Sequence, residues 1–186
     1  MKTLALVIVL TLVTTTGLAP AQDLGQPTSS TPYDKYFGRV RAVLSELGNN
    51  NPPMELVEEL VRTGRAFRYY MKDPLIPQTP AETDASRAGD CKAKSLWVAN
   101  KLDDRKVYFV VGRVRSVSGM SHAWLLWKGP AGWLILDATM YSRPLEVARL
   151  GPSEFTPLYS WNAGGKFIHA AAGARKKAES KYGDHT

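Results

Sequence analysis

The chain has 186 residues, a single cysteine, three histidines and a formal charge of +7. One cysteine excludes an internal disulfide framework, and the scattered histidines give no zinc-ligand spacing. The basic residues form no compact stripe interleaved with aromatics, so nucleic acid is not an expected partner.

The first residues are Lys2, an apolar run from Leu4 to Val13 and the small-residue pattern Ala19-Pro20-Ala21. This is the layout of a secretory signal peptide, residues 1–21. The run is too short to span a bilayer comfortably, although the same residues also fit an uncleaved N-terminal anchor. Cleavage removes Lys2 and no acidic residue, which takes the charge from +7 to +6. The reading implies a periplasmic or secreted protein with no stable membrane insertion after cleavage. Its remaining positive charge favours encounter with acidic surfaces or cell-wall polymers.

Residues 22–32 read as a flexible leader, residues 33–170 as a single domain and residues 171–186 as a charged tail. Apolar positions Tyr36, Phe37, Val40, Val43, Leu44 and Leu47 are spaced by threes and fours, which predicts a helix over 33–47. Gly48-Asn49-Asn50-Asn51-Pro52-Pro53 stops it. A second helix is expected over 53–70, bending or ending early at Gly64. Residues 72–88 carry Pro74, Pro77 and Pro80 and read as a packed loop, with a short helical turn at Thr79-Pro80-Ala81-Glu82. Asp90 is an N-cap residue for a helix reaching Leu102. Asp103-Asp104 reads as a solvated turn. Strands are expected over 107–114, 122–127 and 132–136, the last two joined by the turn Lys128-Gly129-Pro130-Ala131-Gly132. Residues 157–161 and 166–169 allow a further short strand or two. A helix followed by antiparallel strands makes the fold class α+β.

The residues that carry chemistry stand on three consecutive elements. Cysteine chemistry requires thiolate, and a free thiol, with a pKa of about 8.5, is mostly protonated at neutral pH. A helix start favours the anion through its unpaired N–H groups and dipole, and an adjacent imidazolium favours it further. Cys91 opens the predicted helix, so it has the first advantage. His122 supplies the second if the sheet packs against that helix. An imidazole needs a partner that fixes its tautomer, and a carboxylate serves. Asp137, at the end of the strand returning from His122, is placed for it by hairpin geometry. Taken singly, Cys91 also fits a small buried hydrophobe, His122 a hydrogen-bonded core histidine and Asp137 the cap of a turn. Nucleophilic attack further needs donors for the developing oxyanion. The N–H of Cys91 is one, and Gln78 is the first side-chain candidate, with Tyr69 or Tyr70 behind it. Trp124, Tyr141, Trp161 and Asn162 are cleft candidates, although the tryptophans equally fit a sheet core. Asn162 is also a fallback partner for His122.

Gly89-Asp90-Cys91 opening a helix, His122-Ala123-Trp124 and Gly132-Trp133-x-x-x-Asp137-Ala138-Thr139 resemble the transglutaminase-like superfamily, closest to its bacterial cysteine proteinases. Thr79-Pro80-x-Glu82 resembles the approach to the nucleophile in that group. The resemblance covers about residues 70–140. It implies a papain-like core, with a nucleophile helix packed on an antiparallel sheet, Cys91 as nucleophile, His122 as general base and acid, and Asp137 as orienting residue. The acidic pair that follows Gly-Asp-Cys in that group is replaced by Lys92-Ala93. With no acidic cluster elsewhere, neither a metal nor a cofactor is expected. The expected function is an exported thiol-dependent hydrolase, a peptidase or amidase, that acts on a protein or peptide through an acyl-enzyme. The alternatives are a transglutaminase-type acyltransferase and a non-catalytic binding module on the same fold.

Overall fold

The structure is a computed structural model that describes residues 24–116, 120–151 and 153–174. The expected signal peptide and most of the charged tail lie outside the described residues.

In chain order the elements are β1 (Gln26–Pro27), α1 (Gly38–Glu46), α2 (Met54–Ala66), β2 (Arg68–Tyr69), α3 (Pro80–Ser86), β3 (Ala88–Gly89), α4 (Cys91–Leu102), β4 (Val107–Val114), β5 (His122–Gly129), β6 (Gly132–Leu136), β7 (Leu145–Glu146), a 3-10 turn (Val147–Arg149), β8 (Phe155–Asn162) and β9 (Gly165–Ile168). Among the described residues the strands form a seven-stranded sheet ordered β1-β9-β8-β4-β5-β6-β7, and β2 and β3 form a separate parallel pair. Every pairing within the large sheet is antiparallel. This is the α+β architecture that the residue patterns predict.

The period-two pattern of the strands separates two layers. Phe109, Val111, Leu125, Trp127 and Leu136 face the main core with the helices. Val110, Trp124, Leu126 and Ile135 form a smaller cluster on the back of the sheet. Between the helices and the sheet lies α4. It packs against α1, α2, α3, β4 and β5 and is buried nearly all round. Its small residues allow this close approach, and Ser95 Oγ donates to the carbonyl of Ala123 at 3.2 Å. Even Lys94 is 1% exposed. Its ammonium donates to the carbonyl of Phe67 at 2.6 Å, which offsets the desolvation of a charge that would otherwise cost several kcal/mol, on the order of ~5. Burial holds the Lys94 pKa below its ordinary value, with Arg65 adding to the effect and Asp137 opposing it.

Several local expectations change. Residues 26–27 of the expected leader pair with β9, with Gln26 opposite Ile168. The first helix begins at Gly38, after turns through Tyr33 and Tyr36. The second helix runs straight through Gly64 and ends at Ala66. Gly64 is where α2 meets the Asp137-Ala138 segment, since a Cβ there would lie 2.8 Å from the Ala138 Cβ. Of the expected solvated turn Asp103-Asp104, Asp103 is half-buried and Asp104 is fully buried. Asp104 accepts from the Trp127 indole at 3.0 Å, and Asp103 accepts from the Gly48 amide at 2.6 Å.

Gly112 stands opposite His122 in the β4–β5 pairing and beside a register shift between β4 and β8. A Cβ there would meet the Thr156 carbonyl oxygen at 2.2 Å and the Trp124 ring at 2.6 Å. The oxygen is backbone within a strand and has nowhere to go. Gly112→Ala is therefore expected to lower the urea-unfolding free energy by at least about 2 kcal/mol; a change within about 0.5 kcal/mol would show that β8 yields freely at this point.

Candidate active site

The start of α4 is fixed by two devices. Asp90 is the N-cap, and its Oδ1 accepts from the Ala93 amide at 3.0 Å. Its Oδ2 receives the Lys92 ammonium in a buried ion pair. Just before it, β3 pairs with β2, which sets Tyr69 opposite Gly89. The thiol of Cys91 thus sits at a capped helix N-terminus, whose first N–H groups have no helical acceptors. Cys91 is a free cysteine, 8% exposed.

His122 opens β5, at the end of the strand to which the α4 N-terminus comes. Its Nε2 is 2.8 Å from Asp137 Oδ2. Cys91 lines the same cleft as the ring, and with Nε2 turned to Asp137, Nδ1 is the ring nitrogen left for the thiol. Leu125 pairs with Leu136, so Asp137 comes just past the last paired residue of β6. The carboxylate is held there by its own turn. Oδ1 accepts from the amides of Thr139 at 3.0 Å and Met140 at 3.2 Å. Asp137 therefore caps a turn and holds the imidazole at once, one role with each oxygen.

The electrostatics follow from these contacts. Burial opposes a charge on His122, but the hydrogen bonds to Asp137 and then Cys91 outweigh it and raise its pKa from 6.5 to about 9. At neutral pH the ring is an imidazolium facing a sulfur. Burial, followed by the negative charges of Cys91 and Asp90, raises the pKa of the Tyr69 phenol, so it stays protonated and can donate.

Cys91 and His122 line one cleft of about 330 Å³, together with Tyr69, Met71, Leu75, Met120 and Met140. The structure brings Cys91, His122 and Asp137 together and places Tyr69, the second-ranked donor candidate, in the same cleft lining. The other expected site residues lie elsewhere. Gln78 is buried ahead of the α3 capping box and does not line the cleft. Trp124 lines a different cavity, of about 1120 Å³, on the back of the sheet, and its ring stacks beside His122 at 6.2 Å. Trp161 is 1% exposed in the main core, against Phe37. Tyr141 packs against Phe155 and does not line the cleft. Asn162 accepts from the Gly164 amide in the β8–β9 turn. The register explains its distance from the site: Trp161 pairs with Phe109, whereas His122 pairs with Gly112, farther along β4. Asn162 lies beyond Trp161, away from the imidazole. Sequence reasoning missed the apolar lining. Its signal was present as Met71, Leu75 and Ile76, apolar residues with no helical or strand period in a proline-rich stretch.

No protein-family model matches the chain, and no curated protein matches it in sequence. Solved structures do. The chain is similar to calcium-bound Legionella pneumophila LapG, with 19% identity and a TM-score of 0.52 over 68% of this chain and 74% of that one. It is also similar to EGTA-treated LapG from the same organism, with 18% identity and a TM-score of 0.53 over 77% and 81%. The chain has the papain-like, transglutaminase-like fold. At this level of identity the likeness carries the fold alone.

An imidazolium beside a sulfur favours nucleophilic attack by that sulfur. Alkylation by iodoacetamide at about pH 6.5 is expected to slow by about tenfold or more in His122→Ala. Equal, slow rates in the two proteins would mean that the ring does not activate the thiol.

Proposed function

We propose that the chain is an exported cysteine hydrolase that cleaves a peptide or amide bond in a protein or peptide substrate, with Cys91 as nucleophile, His122 as general base and acid and Asp137 as the residue that orients His122. The observation that carries this reading is an imidazole held by a buried carboxylate and lining the same cleft as the lone thiol, which opens a capped helix.

In the proposed reaction the Cys91 sulfur attacks the carbonyl carbon and an S–C bond forms. The Cys91 N–H at the start of α4 and the Tyr69 hydroxyl donate to the developing oxyanion, so Tyr69 takes the place first considered for Gln78. The C–N bond breaks as His122 passes its proton to the leaving amine. Water then enters. His122 takes its proton, the oxygen bonds to the acyl carbon, the S–C bond breaks and the acid leaves. An amine in place of water would give acyl transfer. The exposed rim of the cleft, with Met120 65% exposed, favours water. Export rests on the signal-peptide pattern of residues 1–21. Among the described residues no helix is long and apolar enough to cross a membrane.

The donors near Cys91 do not fit the calcium of LapG. Both oxygens of Asp90 are engaged, one by the Ala93 amide and one by the Lys92 ammonium. Among the described residues no group of three or more His, Cys, Asp or Glu side chains could hold a metal ion. No step of the proposed reaction uses one.

Comparing the new N-termini that wild type and Cys91→Ala generate in a proteome extract tests the hydrolase reading. Cleavages present only with wild type support it. Thiol-dependent incorporation of a labelled primary amine without cleavage would assign acyl transfer instead, and neither activity would leave a binding module. On a cleaved substrate, kcat/KM is expected to fall as pH rises through about 9, where His122 loses the proton it must donate. Asp137→Asn removes an interaction that raises this pKa, so the falling limb should move to lower pH; an unmoved limb would detach it from His122. EGTA is expected to leave the rate unchanged, and a loss restored by calcium would overturn the metal-free reading.

A further inference from the structure

The cleft has two walls of different origin. One comes from the loop that follows β2, with Met71, Pro74 and Leu75; the other holds Met120, Ser121, Thr139 and Met140 beside His122. The chemistry assigns their roles. The leaving nitrogen must face the imidazole that protonates it, so the acyl part of the substrate extends from the sulfur toward the loop wall.

That wall is apolar and exposed. Tyr69 is 53% exposed, Met71 50% and Leu75 42%. Of the large hydrophobic side chains exposed among the described residues, all but Leu56 lie between Tyr69 and Ile76 or at Met120. Tyr69, Met71, Leu75 and Met120 line the cleft itself, and exposed apolar surface concentrated at one cleft marks a surface that is covered in use. Apart from the His122 imidazolium, which faces the sulfur and Asp137, Lys92 is the charged residue among the described lining residues, and Asp90 neutralises it. A charged side chain seated there would lose its hydration without gaining a partner.

The wall is also preformed. Asp73 Oδ1 accepts from the amides of Leu75 at 2.6 Å and Ile76 at 2.7 Å. Glu82 binds Lys72 at 3.1 Å, Arg39 at 3.2 Å and the Thr79 amide at 2.8 Å, and Arg39 also donates to the Pro77 carbonyl at 3.1 Å. The backbone bond from Thr79, followed by the Lys72 bond, lowers the Glu82 pKa from 4.5 to about 2, so these ties persist at every pH relevant to catalysis. The opposite wall differs in kind. Among the described residues, the Thr139 hydroxyl there is buried without a hydrogen-bond partner.

We propose that the wall formed by Met71, Pro74 and Leu75 is the specificity pocket for an apolar side chain on the acyl side of the scissile bond, and that the substrates are chains cleaved after a branched aliphatic or aromatic residue. This rests on Cys91 being the nucleophile.

Peptidyl vinyl sulfones that differ only in the residue bearing the warhead separate the two claims. Labelling of Cys91 is measured by intact mass as a second-order rate. The leucine and phenylalanine probes are expected to react about tenfold or more faster than the glutamate probe. Leu75→Lys replaces an exposed side chain and should preserve the unfolding midpoint. It is expected to lower the leucine rate and raise the glutamate rate, reducing their ratio by about tenfold. Equal leucine and glutamate rates in wild type, or a ratio unmoved by Leu75→Lys, overturns the pocket and leaves the nucleophile standing. No probe labelling Cys91 faster than it labels the His122→Ala protein overturns both.

Discussion

The site depends on where α4 begins. Moving the first turn by one residue would rotate the side chain at position 91 by about 100° around the helix axis and remove it from the imidazole. Asp90 prevents this by accepting the Ala93 amide, an interaction worth about 1 kcal/mol in typical helices. The cap alone is modest. It is reinforced by the Lys92 ion pair, by the β2–β3 pairing that fixes Gly89, and by the Ser95 and Lys94 hydrogen bonds that fasten the helix to β5 and to Phe67. These contacts reach α4 from three directions, so the sulfur is placed by the whole layer between helices and sheet.

Asp137 illustrates how one short segment serves two demands. A carboxylate bonded only to an imidazole would be free to rotate. Here the second oxygen is tied to the Thr139 and Met140 amides, and the close contact of Gly64 with Ala138 presses α2 against the same turn. The carboxylate is 1% exposed and its charge is matched mainly by His122. This fixed negative charge keeps the imidazolium protonated despite burial, which by itself would have driven the proton off. A rigid carboxylate, a charged ring and a sulfur at a helix N-terminus form one electrostatic unit.

Around that unit the fold distributes rigidity unevenly. Behind it lie α4 and the sheet, buried almost throughout. In front, the cleft is walled by loop residues, and the loop after β2 is held by polar ties at its base while its apolar side chains remain exposed. Pinned backbone with free side chains is a suitable state for a surface that must receive an extended chain without refolding to do so.

Much of the site was legible along the chain because its signals are local. A cap residue before Cys91, a β-dense run ending at His122's strand and an aspartate closing the next strand need only near neighbours to be recognised, and the α+β class follows from the same patterns. The residues misplaced by sequence reasoning depend on longer-range facts. Trp124 belongs to the back of the sheet because of pleat parity, Asn162 sits away from His122 because of the β4–β8 register, and Trp161 lies in the core because α1 covers it. The apolar wall of the cleft was readable only as hydrophobic residues without a period. What the sequence determined alone is therefore the residue types of the candidate site and the elements that carry them, since caps and strand periodicity act within a few residues. Which side chains surround the sulfur was decided by tertiary packing, because a sheet register and a helix approach are set by contacts between segments far apart in the chain.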